Sequence, residues 1–309
     1  TGPTANLLKV LNGGWTIVWQ GDREDLYPQQ KMTVLEAIQN KVGADKVVYV
    51  PGTEFDKPVD IGAAVDAAEK VDAVIVCLGE MTYCETPGNI NDLSLPQCQL
   101  DLVKSVKQAG KPVIVVLLEG RPRVIAPIVP LADAVVMAYL PGMEGGRAIA
   151  DVLYGDVNPS GKLPFSYPKY TGNLTWYDHK SNENYDPQWP FGHGMSYTEF
   201  AYSDLKLSKA KIKPDEKIEV IVTVKNTGDR EGKEIVQLYL QDNVATVTPA
   251  VRRLRGFEKV SLKPGESKTV TFTLGPEDYR FIGRDNKPVI EPGEFTVMVG
   301  DLKARFDIE

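Results

Sequence analysis

Histidine is nearly absent from this sequence: His179 and His193 are the only two in 309 residues. Two are too few for a histidine-rich metal site, and neither lies beside a plausible nucleophile, which argues against a Ser-His-Asp hydrolase. Cysteine is scarce as well, and Cys77, Cys84 and Cys98 form neither a zinc spacing nor a disulfide framework. Cys77 falls in an apolar run and reads as core, whereas a Cys84–Cys98 bridge is left open, because spacing does not fix the Cα separation. No apolar run approaches the roughly 20 residues that span a bilayer, and the first residues carry no signal-peptide pattern. Nor is there a basic excess. With 35 Lys and Arg against 42 Asp and Glu, a net charge of -7 and a pI near 5.1, the chain is a poor partner for a polyanion. Its dense basic cluster, Arg252, Arg253 and Arg255, reads as a solvated strand face or a contact between domains. There is no GxSxG elbow, Gly265-Glu266-Ser267-Lys268 is not a P-loop, and Gly142, Gly145 and Gly146 lack the dinucleotide spacing and suit a tight strand-to-helix turn. The expected function therefore involves no metal, no cofactor, no nucleic acid and no membrane.

What is present divides into two halves with different periods, in a chain long enough for two cores. In the first half, residues 46–50, 73–78, 113–118 and 134–140 are short valine-rich runs expected as strands. Residues 33–42, 61–70 and 97–109 carry helical spacing. The last of these places Leu100, Val103 and Val106 on one stripe, with Ser94 and Pro96 as start signals and Gly110 as stop. This alternation predicts an α/β sandwich with a mainly parallel sheet and helices on both faces. From about residue 205 the period changes to two. Ile218, Val220, Val222 and Val224 share one face, as do Val270, Phe272 and Leu274, and Phe295, Val297 and Val299. Turn signals at Asn226-Thr227-Gly228, Lys263-Pro264-Gly265 and Glu291-Pro292-Gly293 then predict an immunoglobulin- or fibronectin-like β-sandwich. Residues 154–197, rich in Gly, Pro, Asn and aromatics, read as a packed strap whose Trp176, Tyr177, Tyr185, Trp189, Phe191 and Tyr197 glue domains together or offer a sugar-stacking face. The expected partition is 1–165 for the α/β domain, 166–204 for the strap and 205–309 for the β-sandwich.

Chemistry points to the loop 79–96, GEMTYCETPGNINDLSLP, directly after the apolar run Ala73-Val74-Ile75-Val76-Cys77-Leu78. Ligands in open α/β sheets gather at the loops beyond the strands' carboxyl ends, and Glu80 and Glu85 both fall there. A lone carboxyl group is half of a mechanism, and where the other half lies is the central question. Glu119, also after a strand, reads as a polar terminus. Near the start, Gly13-Gly14-Trp15-Thr16-Ile17-Val18-Trp19-Gln20 puts two indoles four residues apart in a glycine-flanked loop. They are either a platform for a sugar ring or buried core.

Together these residues amount to a resemblance. GGWTIVWQGD, the 79–96 loop, Gly120-Arg121-Pro122, LPGMEGG, DVLYGDVNPSGKLPFSYP and WPFGHGMSYTEF resemble the second domain of glycoside hydrolase family 3, the β-glucosidases and exo-β-glucanases. KNTGDREGKEIVQLYL, RRLRGFEKVSLKPGE and PGEFTVMVG resemble the fibronectin type III-like domain found in many of them. The resemblance covers nearly the whole chain. It implies a retaining mechanism on β-glucoside or β-glucan substrates, in which a barrel domain supplies an aspartate nucleophile and this part supplies the general acid/base. By position that residue would be Glu85, while Glu80 would tie down the loop. Glu85 would begin protonated, through partial burial and the neighbouring nucleophile carboxylate. Trp19, rather than Trp15, would wall the leaving-group subsite. Neither an eightfold βα succession nor the family's Ser-Asp-Trp nucleophile motif occurs here, so the barrel is expected to be absent and the chain inactive by itself. The opening Thr1-Gly2-Pro3-Thr4-Ala5-Asn6 resembles the loop after a missing first strand, which predicts a truncated chain. A secreted or periplasmic location is the family's implication.

Overall fold

Three of the valine-rich runs pair as a parallel sheet in the computed structural model, which describes residues 1–309. They are β1 (Val74–Gly79), β2 (Val113–Leu118) and β3 (Ala134–Tyr139), with β2 central. Pairing runs from Val74↔Val113 to Gly79↔Leu118 and from Ile114↔Ala134 onward. Five helices accompany them: α1 (Lys9–Asn12), α2 (Val34–Val42), α3 (Ile61–Ala68), α4 (Gln97–Lys107) and α5 (Gly145–Leu153). On one face Cys77, Val116 and Leu118 pack with Leu11, Val34, Ile38 and Ile149. The alternation of the pleat sends Val115 and Leu117 to the other face, which α4 covers with Leu102, Val103 and Val106. Thr33 starts α2 with a capping box, accepting from Glu36 N–H at 3.2 Å while the Glu36 carboxylate accepts from Thr33 N–H at 2.9 Å. Pro96, without a side-chain cap, precedes α4, and Ser94 is used elsewhere, facing Thr171 at 3.3 Å.

One expected strand does not form. Residues 46–50 begin with the end of a short 3₁₀ turn, Ala44–Lys46, and continue without regular secondary structure, outside the sheet. A strand exists through its ladder, and here Val47, Tyr49 and Val50 line, together with Ala73 and Ile75 at the edge of β1, an apolar trough of about 400 Å³. The backbone ties on that edge run through residues 1 and 4: the amino group of residue 1 donates to Ile75 O at 3.0 Å, its carbonyl accepts from Cys77 N–H at 2.9 Å, and Thr4 N–H donates to Cys77 O at 3.4 Å.

The chain forms two compact units: Thr1–Val157 with Pro168–Asn173, and Asn158–Tyr167 with Leu174–Glu309. The second contains β4 (Phe200–Leu207), β5 (Lys211–Ile212), β6 (Ile218–Asn226), β7 (Gly232–Asp242), β8 (Arg253–Leu262) and β9 (Ser267–Leu274). After these come α6 (Pro276–Tyr279), β10 (Phe281–Ile282), β11 (Pro288–Val289), β12 (Gly293–Val299) and β13 (Leu302–Ile308). A sheet in the order β5-β13-β12-β7-β8 and another in the order β4-β6-β9 enclose one core. Ile218, Val220, Val222 and Val224 all face it, as period two requires. At the end of β6 the buried Asn226 donates to Arg230 O at 2.7 Å and Leu262 O at 2.9 Å, and accepts from Gly228 N–H at 3.1 Å, which organises the turn. Arg253 and Arg255 lie on β8, and the Arg252 guanidinium sits 4.7 Å from the Tyr239 ring centroid. The strap's aromatics pack within this unit: Tyr177 stacks on Phe191 at 4.3 Å and Tyr167 meets Trp189 edge-on at 5.2 Å. Trp176 stays 65% exposed.

Candidate active site

The carboxyl ends of β1, β2 and β3 carry a set of acidic side chains, and most are already committed. Glu80, only 9% exposed, receives Arg121 Nε at 2.9 Å and Arg123 Nη1 at 3.0 Å on Oε1, and Arg121 N–H at 3.2 Å on Oε2. It is the loop's tie, and removing one partner of such a buried pair costs about 3–5 kcal/mol. Glu119 is fully buried and accepts from Arg123 N–H at 3.2 Å. Glu144 pairs with Lys31, and Asp92 accepts from Ser94 N–H at 2.8 Å and Thr171 Oγ1 at 3.0 Å.

Glu85 differs from all of these. Its side chain is exposed, and no hydrogen bond or ion pair engages the carboxylate. Its backbone lies at φ 51° and ψ -147°, a region close to that reserved for glycine. The partial burial expected for it is not found in this chain, because Glu85, Thr86 and Pro87 together form an exposed loop tip. The base of that tip is rigid. Gln99 pairs with both backbone groups of Gly79 at 3.0 Å, and Gly88 N–H closes back on Glu85 O at 2.9 Å. The Arg121 guanidinium reaches Gly88 O as well as Glu80, while its Cζ sits 3.8 Å from the Tyr83 ring centroid. A single guanidinium therefore holds both ends of the segment that displays Glu85. Burial, ahead of the Glu80 carboxylate facing it, pushes the Tyr83 phenol up to about 12, so it remains a neutral donor.

The tryptophans, for which burial and exposure were both open, are exposed: Trp15 by 69% and Trp19 by 49%. Trp15 N–H donates to Trp19 O at 2.8 Å and closes their loop, and Trp15 and Ile17 sit at φ 60° and 66°. Ile17, Met81, Ile90 and Leu140 are further exposed apolar side chains on these loops. Four of the six non-glycine residues at positive φ, namely Trp15, Ile17, Glu85 and Tyr139, fall on this one end of the sheet. All three cysteines are free, so no Cys84–Cys98 bridge exists, and burial pushes the Cys77 thiol up to about 11. No three His, Cys, Asp or Glu side chains gather as metal ligands.

Sequence reasoning did not assign roles to Gln20, Tyr83, Gln99, Arg121 or Arg123. A signal existed for the arginines, since Gly120-Arg121-Pro122-Arg123 follows β2 at the same sheet end. Their partner Glu80 is about forty positions away, beyond any local spacing.

Fold and site together define an α/β domain with an acid-bearing loop at its strand ends, accompanied by a fibronectin-type sandwich. The chain belongs to glycosyl hydrolase family 3: residues 1–197 match its C-terminal domain and residues 234–303 match a fibronectin type III-like domain. It is 42% identical over 321 residues to the lysosomal beta glucosidase of Dictyostelium discoideum, an alignment covering 97% of this chain and 39% of that protein. With the periplasmic beta-glucosidase of Salmonella typhimurium it shares 36% identity over 98% of this chain and 44% of that protein. It is also similar, with a TM-score of 0.88 and 33% identity, to a crystal structure of a β-glucosidase variant from Listeria innocua in complex with laminaribiose, matching 100% of this chain and 45% of that one. The chain spans about two fifths of the length of these curated relatives.

Proposed function

We propose that this chain supplies the general acid/base, Glu85, to a retaining β-glycoside hydrolase that releases terminal glucose from β-glucosides or β-glucans. The nucleophile and most contacts to the terminal glucose belong to a barrel domain outside residues 1–309. Trp19, with Trp15 beside it, forms the wall on which the leaving-group sugar stacks, since the CH-rich face of a sugar packs on an exposed indole. In the first step the Glu85 carboxyl donates its proton to the glycosidic oxygen while the nucleophile attacks the anomeric carbon. In the second, the Glu85 carboxylate takes a proton from the water that releases the glycosyl group. A retaining enzyme needs its two carboxyl groups about 5–5.5 Å apart, so the tip bearing Glu85 must meet the surface that bears the nucleophile. A secreted or periplasmic setting has the support of the periplasmic Salmonella relative.

The observation that carries this reading is the elimination at the strand ends: Glu80, Glu119, Glu144 and Asp92 are tied to the protein, and Glu85 is exposed and disengaged. The test is Glu85→Gln in the barrel-bearing enzyme. Hydrolysis of substrates with poor leaving groups should fall by about 10² to 10⁴, while activated aryl glucosides still glycosylate the enzyme and added azide restores their turnover. The same signature in Glu80→Gln and its absence in Glu85→Gln would transfer the role to Glu80. Unaltered hydrolysis by Glu85→Gln, with sugar binding by the isolated chain, would favour a non-catalytic carbohydrate-binding module.

A further inference from the structure

The loop that carries the tryptophans and the loop that carries Glu85 are fastened to each other chiefly by the Gln20 carboxamide. Gln20 Oε1 accepts from Cys84 N–H at 3.1 Å, and Gln20 Nε2 donates to Cys84 O at 3.3 Å. The carboxamide thus satisfies both backbone groups of Cys84, as a neighbouring strand would. The Cys84 thiol in turn donates to Trp19 O at 3.0 Å. Cys84 is buried, and a Cβ at Gly14 would run into the Tyr83 carbonyl and the Cys84 side chain, so the two loops touch with no side chain between them. Gln20 follows Trp19 in the chain, and the residue it grips precedes Glu85.

This arrangement matters because Glu85 has no lock of its own. Its carboxylate is unengaged and its backbone strained, so its position depends on what holds its neighbours. Arg121 fixes the segment at Glu80 and Gly88, which sets its height above the sheet. Gln20, with the Cys84 thiol's bond to Trp19 O beside it, fixes it laterally, against the backbone of the loop that carries Trp19. Resting on the acid/base reading of Glu85, we propose that Gln20 is a positioning residue that couples stacking of the leaving-group sugar on Trp19 to protonation of that sugar's departing oxygen. The acid must come within about 2.6–3.2 Å of an oxygen whose place is set by the sugar on Trp19. A misplacement of about 1 Å can cost on the order of 10² in rate.

The experiment uses the barrel-bearing enzyme with Gln20→Leu, which removes every bond of the carboxamide to Cys84, and Gln20→Glu, which keeps the acceptor for Cys84 N–H and loses the donor. Glu85→Gln is run alongside, and each variant's melting temperature is recorded. Gln20→Leu should lower kcat on a glucose disaccharide by roughly 10- to 100-fold, with less than about a threefold change on a dinitrophenyl glucoside, whose leaving group needs no proton. Gln20→Glu adds a negative charge one peptide from Glu85, which favours the protonated acid. The alkaline limb of its kcat/KM profile should therefore move to higher pH, a shift that lost packing alone does not produce. If Gln20→Leu fails to fold, the pH limb and leaving-group dependence of Gln20→Glu decide the matter. Equal losses on both substrates with an unmoved limb, while Glu85→Gln shows its own leaving-group dependence, would refute the coupling and leave the acid/base reading intact. Absence of that dependence in Glu85→Gln would overturn both.

Discussion

At the scale of single residues, the site is a contest between strain and restraint. Glu85 occupies a backbone conformation that costs a non-glycine residue about 1–3 kcal/mol, and it persists because Arg121, Gln20 and the Gly88 N–H over-determine its surroundings. Glycine relieves that strain and alanine does not. Glu85→Gly should therefore raise the melting free energy of the chain by about 1 kcal/mol relative to Glu85→Ala, although both lack the carboxyl. Denaturant melts of the two variants measure the difference, and an alanine variant at least as stable as the glycine one would show that the conformation carries no strain. The sequence singled out Glu85 as a candidate through its place after a strand and its resemblance to a family motif. It did not make Gln20 or Arg121 legible, because their work is done on Cys84, Glu80 and Gly88 across 33 to 64 positions. Local spacing carries no trace of such pairings, whereas the capping box between Thr33 and Glu36 is legible because it is local.

At the scale of elements, valine-rich runs identified β1, β2 and β3 and the period of two identified β6, β9 and β12, whereas residues 46–50, whose composition is as strand-like, form no strand. The difference is not in the residues but in the neighbour: an apolar run reports burial, and a ladder also needs a backbone edge within hydrogen-bonding distance. The strap had no period to read, and its order comes from side chains instead. Within it His193 stacks near Trp189 at 6.3 Å, and Lys162 lies close by, donating to Gly194 O at 2.7 Å and pairing with Glu234 at 3.3 Å. Burial, then the Lys162 charge, lowers the His193 pKa from the ordinary 6.5. The folded state therefore binds fewer protons here than the unfolded state, so stability is fully present above about pH 6.5 and is lost as pH falls toward the depressed folded value. Between about pH 6.5 and 5 most carboxylates remain ionised, with ordinary values near 4. His193→Asn should thus flatten the fall of melting temperature across that window. An undiminished slope in the variant would assign the pH dependence to other groups.

At the scale of the whole molecule, one exposed carboxyl and two exposed indoles do not make a glycosidase. The covalent route requires a second carboxylate to attack the anomeric carbon, and the other acids at this end of the sheet are held by arginine, lysine or backbone donors. Reassigning Glu80 as nucleophile would break two buried ion pairs, at a cost of several kcal/mol, in the structure that displays Glu85. The purified chain should therefore fold and hydrolyse no aryl β-glucoside. Exposed Trp15, Ile17, Trp19, Met81, Ile90 and Leu140 around the Glu85 tip give it an apolar surface suited to meeting another domain, so self-association in its absence is expected. The assay is hydrolysis of a nitrophenyl β-glucoside by the chain alone and after mixing with separately produced barrel domain, with sedimentation of the chain in parallel. Turnover that appears only in the mixture and is lost with Glu85→Gln fits a site divided between two domains. Robust turnover by the chain alone, lost on Glu85→Gln, would require a nucleophile among residues 1–309 and overturn the division of labour proposed for Glu85.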